Sequence, residues 1–259
     1  MQDHKKPQPI EVLIISFDGY SDIWNISISS MLKNWPDCPY RINLLTNEKT
    51  YPDPKIRSLV IGKDLDWSSN LLVGLEKLNC DYVLTIFEDL ILSEPVNTPL
   101  IQEFVSTCIG SGYEYLRLRP SPPPDGNEYP AYGSIKGGAA YRVSLCTSIV
   151  RRATLMHLLK RGENAWEFEK YGSLRSQQYK HFYSTYQQVI PYVNAIEKGR
   201  WNPSMLETLK EEGIDYKQRG VFQMEKKTDA LVHIKHFIVF SLMPVFIRKL
   251  YYAVRKKFK

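Results

Sequence analysis

Cysteine is scarce in this 259-residue chain: there are 4, at Cys38, Cys80, Cys108 and Cys146, with no CxxC pair. That spacing excludes a disulfide scaffold and a zinc cluster, and it points to small core residues in a reducing cytoplasm. The 5 histidines, scattered from His4 to His236, show no metal-ligand spacing either. Long apolar runs are missing. Phe237 to Phe246 is broken by Ser241 and Pro244, and spanning a bilayer takes roughly 20 apolar residues. The leading MQDHKKPQP is too polar to direct secretion. No repeat and no low-complexity tract occurs, and GxGxxG, P-loop, HExxH and GxSxG motifs are all absent.

What is present is a core. At 43% hydrophobic and 12% aromatic, with 17 Tyr and 5 Trp, the chain can fill one large domain and is unlike a disordered one. Its net charge of +6 is localised. Arg248, Lys249, Arg255, Lys256, Lys257 and Lys259 follow His236 without an acid, and the other 28 basic residues match the 28 acidic ones. A balanced body excludes a broad nucleic-acid-binding face.

The order of elements predicts an α/β fold. Glu11 to Phe17 (EVLIISF) reads as a buried strand ending in Asp18-Gly19-Tyr20, and Ser21-Asp22 as the cap of a helix through Trp24, Ile28, Met31 and Leu32. Strands at Tyr40–Leu45 and Ile56–Ile61 precede a helix opened by Trp67-Ser68-Ser69-Asn70. Tyr82 to Ile91 (YVLTIFEDLI) then forms a strand that delivers two adjacent carboxylates, Glu88 and Asp89, to its carboxyl end. In open α/β sheets that end faces the ligand crevice. Further on, Leu100–Cys108 reads as helix and Tyr113–Leu118 as strand. The proline- and glycine-rich stretch 120–138 is too irregular for a plain connection and reads as a lid or acceptor loop. Leu145–Val150 reads as strand and Ala153–Lys160 as helix, with more helix to about Gln188 and a last helix near Met205–Glu212. The alternation implies a mostly parallel, doubly wound sheet.

In this order SFDGY, LLTN, DYVLTIFEDLIL, YRVSLCTSIVRRATLMHLLKRGENAWEFEKYGSLR and IPYVNAIEKGRW resemble bacterial GT-A type glycosyltransferases of the family 2-like kind that assemble surface polysaccharide or lipopolysaccharide. The resemblance covers about residues 11–220, and it rests on order and spacing, the individual motifs being short. It implies a single GT-A-like domain, with a nucleotide-sugar-binding half at 11–95 and an acceptor-binding half at 96–220. A flexible leader (1–10) and a membrane-associating tail (221–259) flank it. The activity it implies is transfer of a sugar from a nucleotide-sugar donor to a glycan or lipid-linked acceptor. In that family an Asp-x-Asp motif holds a divalent cation on the diphosphate. Here Glu88-Asp89 stands in its place with only Asp89 in register, as the ligand of a Mg²⁺ or Mn²⁺ ion.

The resemblance also distributes roles. Inversion at the anomeric carbon needs a base for the acceptor hydroxyl. Trp166-Glu167-Phe168-Glu169 offers two, which point about 200° apart on a helix, with Glu169 the first choice and Glu167 the reserve. Burial beside aromatics would raise such a carboxylate toward the range of a useful base. Ser16, Asp18, Tyr20, Thr46, Asn47, Trp67, Asn70 and Glu88 fall where the donor binds. Asp18 could accept from base or ribose and Tyr20 could stack on the base, although Asp-Gly is equally a turn former. Arg117, Arg142 and Trp166 fall on the acceptor side. The tail places Leu250, Tyr251, Val254 and Phe258 at helical spacing among Arg248, Lys249, Arg255, Lys256 and Lys257. That pattern fits a basic amphipathic helix lying on an anionic membrane, here the inner face of the cytoplasmic membrane. The alternative is a catalytically inactive sugar-nucleotide or polysaccharide-binding subunit of a membrane assembly.

Overall fold

The computed structural model describes residues 8–223 together with Ile247 and Tyr251. Arg248, Lys249, Arg255, Lys256, Lys257 and most of the expected tail lie outside the described residues, as does most of the leader. Among the described residues no helix is long and apolar enough to cross a membrane.

β1 (Gln8–Ile15) begins inside the expected leader, because its register with β4 starts at Gln8. A short 3-10 turn at Asp18–Tyr20 leads to α1 (Trp24–Asn34). Next come β2 (Ile42–Thr46), β3 (Ile56–Val60), α2 (Trp67–Glu76), β4 (Cys80–Phe87), β5 (Leu90–Leu92) and α3 (Thr98–Gly110). The second half holds β6 (Tyr115–Arg117), β7 (Tyr132–Ser134), β8 (Ser148–Arg151), α4 (Arg152–Leu158) and a helical run over 165–178. β9 (Phe182–Thr185), β10 (Tyr192–Asn194), β11 (Ile196–Glu197), β12 (Arg200–Trp201) and a helix at Leu206–Glu211 complete it.

Eight strands form the central sheet in the order β3-β2-β1-β4-β8-β6-β9-β7. Only β8 and β7 run against the others. This is the mostly parallel α/β sheet that the sequence predicts. Its centre is apolar on both faces, as parallel strands covered by helices require: Ile10, Val12, Leu13 and Ile14 of β1 and Val83, Leu84 and Ile86 of β4 are all buried. Each such side chain contributes about 1.5–3 kcal/mol on leaving water. Two antiparallel pairs, β5 with β10 and β11 with β12, stand apart from the sheet. Lys198 and Gly199, both at positive φ (48° and 78°), make the β11–β12 turn.

Two expectations are corrected. Ser21 and Asp22 do not cap α1, whose cap position is Ile23 with no side-chain hydrogen bond. The helix expected to about Gln188 stops at Gln178, and Phe182–Thr185 is the sheet strand β9. The four cysteines are free, three of them buried, in keeping with core packing.

One glycine sets a close approach. A Cβ on Gly74 of α2 would lie 2.5 Å from Leu45 Cδ1, so a side chain there would require Leu45 to shift.

Candidate active site

β1 and β4 are parallel neighbours with Ile15 opposite Phe87, so their carboxyl ends open side by side. The chain leaves β1 through Ser16-Phe17-Asp18 and leaves β4 through the Glu88-Asp89 turn into β5. Glu88 N–H donates to Ile15 O at 3.4 Å, which joins the two exits. Beyond them lies a cavity of about 420 Å³. Ser16, Phe17 and Tyr20 after β1, Leu45 of β2, Asp64, Leu65, Trp67 and Asn70 around the start of α2, and Leu145 with Asn164–Trp166 line it. Phe87, Glu88 and Asp89 line it as well.

The acid pair is electrostatically exposed to itself. Glu88 and Asp89 keep partial contact with solvent but are packed round by protein. Burial, then the neighbouring Asp89 charge, pushes Glu88 up to about 8, against lowering by a backbone hydrogen bond and Arg219. Burial also lifts Asp89 to about 6, with Glu197 adding to the rise. Enclosure thus biases each carboxylate toward its protonated form, Glu88 more than Asp89.

At the first strand end, Asp18 and Asn47 form a clamp. Asp18 Oδ1 accepts Asn47 N–H at 2.9 Å, Oδ2 accepts Glu48 and Lys49 N–H at 2.9 and 3.0 Å, and Asp18 N–H donates to Asn47 Oδ1 at 3.0 Å. Burial raises the Asp18 pKa, but these bonds and the Lys49 charge outweigh it and hold the group below the usual value. Both Asp18 oxygens therefore serve the β1–β2 junction. Ser16 Oγ accepts Trp24 Nε1–H at 2.7 Å, and Thr46 is wholly buried at the end of β2. Asn70 Nδ2 reaches Asp64 Oδ1 at 2.6 Å while its Oδ1 accepts Leu65 N–H at 3.1 Å. The N-cap of α2 is Asp66, which accepts Ser69 N–H at 2.9 Å, so Trp67 is left as an aromatic wall 5.3 Å from Phe168. Tyr20 has Phe17 at 5.0 Å and the Arg219 guanidinium at 4.2 Å from its ring centroid.

The two glutamates follow the lining residues Asn164–Trp166 and are not themselves in the lining. Glu167 and Asn164 make a reciprocal capping box, at 3.0 and 3.2 Å. Glu169 belongs to a π-helical turn, Phe168–Gly172, a distortion frequent at functional sites. Its Oε1 accepts the N–H of cavity-lining Leu145 at 2.7 Å. Burial raises its pKa, offset in part by hydrogen bonds from Leu145 and Ser144 and by the Lys170 and Arg117 charges. Trp166 lines the cavity yet is 68% exposed, the most open of the large apolar side chains described.

The expected acceptor arginines lie elsewhere. Arg117 is 0% exposed, with Nη1 on Tyr141 O at 2.8 Å, Nη2 on Pro122 O at 2.6 Å and Nε on Ser184 Oγ at 3.2 Å. Arg142 is 1% exposed, bonds the carbonyls of Ile135, Ser176 and Tyr179, and lies 4.2 Å over the Phe182 ring. Both brace the 118–145 region from inside. The cavity brings together Ser16, Tyr20, Trp67, Asn70, Glu88, Asp89 and Trp166, with Glu169 bonded to its rim.

Asp64, Leu145, Asn164 and Arg219 escape the sequence reading. Only Asn164 had a local signal: Asn-x-x-Glu is a capping box, and recognising it would have assigned Glu167 to the cap at once.

Among the described residues no three metal-ligating side chains cluster. Two adjacent carboxylates nevertheless suit Mg²⁺ or Mn²⁺, since such ions are held by one or two carboxylates together with substrate phosphates.

No protein-family model and no curated protein matches the chain. Among solved structures, S. aureus TarS 1–349 is similar at 10% identity and a TM-score of 0.43, over 71% of this chain and 59% of that one. The same protein in complex with UDP-GlcNAc gives 12% and 0.44, over 71% and 57%. A cytidylyltransferase from Leptospira borgpetersenii serovar Hardjo-bovis (strain JB197) gives 12% and 0.47, over 83% and 99%. The chain thus spans little more than half of the TarS 1–349 structure.

Proposed function

We propose that this chain is a glycosyltransferase that takes a sugar from a nucleotide-sugar donor held in the β1–β4 cavity. One observation carries the reading: an acid pair with raised pKa values on a cavity of about 420 Å³ at the carboxyl end of central strand β4. Perturbed carboxylates in a cleft are the usual mark of a reacting site. The donor diphosphate lies toward Glu88 and Asp89. A Mg²⁺ or Mn²⁺ ion on Asp89, with Glu88 beside it, would supply charge neutralisation there.

Glu169 is the base in this reading. The acceptor hydroxyl oxygen bonds to the anomeric carbon, its proton passes to the Glu169 carboxylate, and the carbon–oxygen bond to the diphosphate breaks with its electron pair leaving on phosphate oxygen. The raised Glu169 pKa favours that proton transfer near neutral pH. Trp166 offers an open aromatic face on which an acceptor or donor sugar ring can rest. The acceptor is a glycan or lipid-linked saccharide of a bacterial cell surface, and the cationic tail holds the enzyme against the membrane bearing it.

Thermal denaturation with UDP-, GDP-, dTDP- and CMP-sugars, with and without Mg²⁺ or Mn²⁺, tests the donor site. A ligand at 100 times its Kd stabilises by about 2.7 kcal/mol. One nucleotide class is expected to raise Tm, and Asp89→Ala to abolish the rise. No shift from any of the four would overturn the assignment. Binding without donor turnover or transfer would favour the inactive-subunit alternative.

A further inference from the structure

The cavity has a charge problem. Asp64, Glu88 and Asp89 line it, and among the described residues no lysine or arginine does. A nucleoside diphosphate adds further negative charge, and at short range in a protein like charges repel by several kcal/mol. Besides the metal ion proposed above, a protein cation for the phosphates would have to come from just outside the lining.

The basic side chains nearby can be sorted by what holds them. Arg117 and Arg142 are buried on backbone carbonyls. Arg175 is committed to Leu158 O and to Glu163 at 2.6 Å. Lys49 is tied to Ser21 Oγ at 2.6 Å on the outer side of the β1–β2 junction. Arg219 is held too, by Asp22, but of these five it alone lies over a side chain that lines the cavity: its guanidinium is 4.2 Å from the ring centroid of Tyr20. Its side chain is 14% exposed.

Arg219 is also firmly placed. Phe222 N–H donates to Trp201 O at 2.8 Å and Trp201 N–H to Gly220 O at 3.0 Å, and Trp201 is fully buried. The segment is therefore pinned to β12. Asp22 holds the guanidinium through Nε and Nη2, both at 2.5 Å, while Nη2 also approaches Gly19 O at 3.4 Å. That fork leaves the Nη1 hydrogens outside it. Asp22 itself is 45% exposed, so water screens its hold.

Building on the nucleotide-sugar reading, we propose that Arg219 is the phosphate-binding cation of the donor site, with Asp22 as its resting partner. Its planar fork matches phosphate oxygens, and Tyr20 is the platform that keeps it flat beside the acid pair. Tyr20 then supports the guanidinium on that face and not a nucleobase. The role makes a definite demand on ligand choice: Arg219 discriminates by phosphate number.

Calorimetric titration of the whole chain with UDP, GDP, dTDP and CDP and with their monophosphates reads this directly. The wild type should prefer the diphosphate of one base, and Arg219→Ala should weaken that diphosphate about tenfold or more while changing the monophosphate far less. Arg219→Lys keeps the charge without the fork and should fall between. Asp22→Asn frees the guanidinium and should leave diphosphate binding intact or tighter. Equal weakening of diphosphate and monophosphate in Arg219→Ala, or no weakening of either, overturns the role of Arg219 alone. Absence of any nucleotide binding to the wild type overturns the donor-site reading and this assignment with it. Should Arg219→Ala fail to fold, the Arg219→Lys and Asp22→Asn ratios decide.

Discussion

Two sets of enclosed charges divide this molecule. In the second half, Arg117 and Arg142 lie at 0% and 1% exposure, and backbone carbonyls receive their protons. In the first half, Glu88 and Asp89 lie against a cavity, are both raised chiefly by burial, and have no cation bonded to them among the hydrogen bonds and ion pairs described. The arginines are scaffold because their demand is met within the fold. In the proposed reading the acids are a site because theirs is left for a ligand to meet. The lesson is that enclosure alone does not distinguish function from structure, whereas the state of the partners does.

The comparison breaks most visibly at Arg117. Arg117→Ala strands the carbonyls of Pro122 and Tyr141, and a loss of about 3–5 kcal/mol is expected in urea unfolding. Nucleotide affinity of the molecules that remain folded should not change. A variant that kept its stability but lost ligand would move Arg117 from scaffold to site.

Glu169 stands between the two classes, since one oxygen is committed to Leu145 N–H and the group is still raised. Glu169→Gln should lower kcat by about 10²–10⁴-fold with little effect on donor affinity. Glu167→Gln should cost only about 0.5–1 kcal/mol of stability through the weakened capping box, with kcat retained. The opposite ranking in initial-rate kinetics would exchange their roles.

The gentlest probe is pH. Glu88 shifts from an ordinary value of 4.5 to about 8 in the folded chain, so between those limits the folded state holds more protons than the unfolded one. Stability of the chain in chelator therefore falls as pH rises from about 5 to 8, by on the order of 1–3 kcal/mol. Asp89, raised from 3.8 to about 6, adds to the fall at the lower end. Glu88→Gln should flatten most of the slope in a Tm series, and an unchanged slope would show that the acids are not strained by burial.

Much of the sheet was readable from the chain, because β1, β2 and β4 are apolar runs whose burial on both faces follows from composition. The acid turn was readable too, as polar residues closing an apolar strand. β9 was not: Phe182-Tyr183-Ser184-Thr185 follows helical turns directly, and only pairing with β6 and β7 makes it a strand. The arginines were misleading for a similar reason. Nothing local to Tyr115-Leu116-Arg117 says that Pro122, Tyr141 and Ser184 of strand β9 will together enclose the guanidinium. Asp18 looked like a ligand and a turn former at once, and its three backbone donors come from around Asn47. Arg219 lies 197 residues from Asp22, so its place beside Tyr20 has no short-range trace.

Gly74 gives the cavity its gauge. It stands one helical turn after Asn70 on the same face of α2, against Leu45, and both of those residues line the cavity. The missing side chain is thus a spacer of zero thickness between the helix and the sheet. A single methyl group there would press on Leu45, and so would change how large a guest the cavity admits through an apolar wall residue while leaving its polar and charged groups as they are.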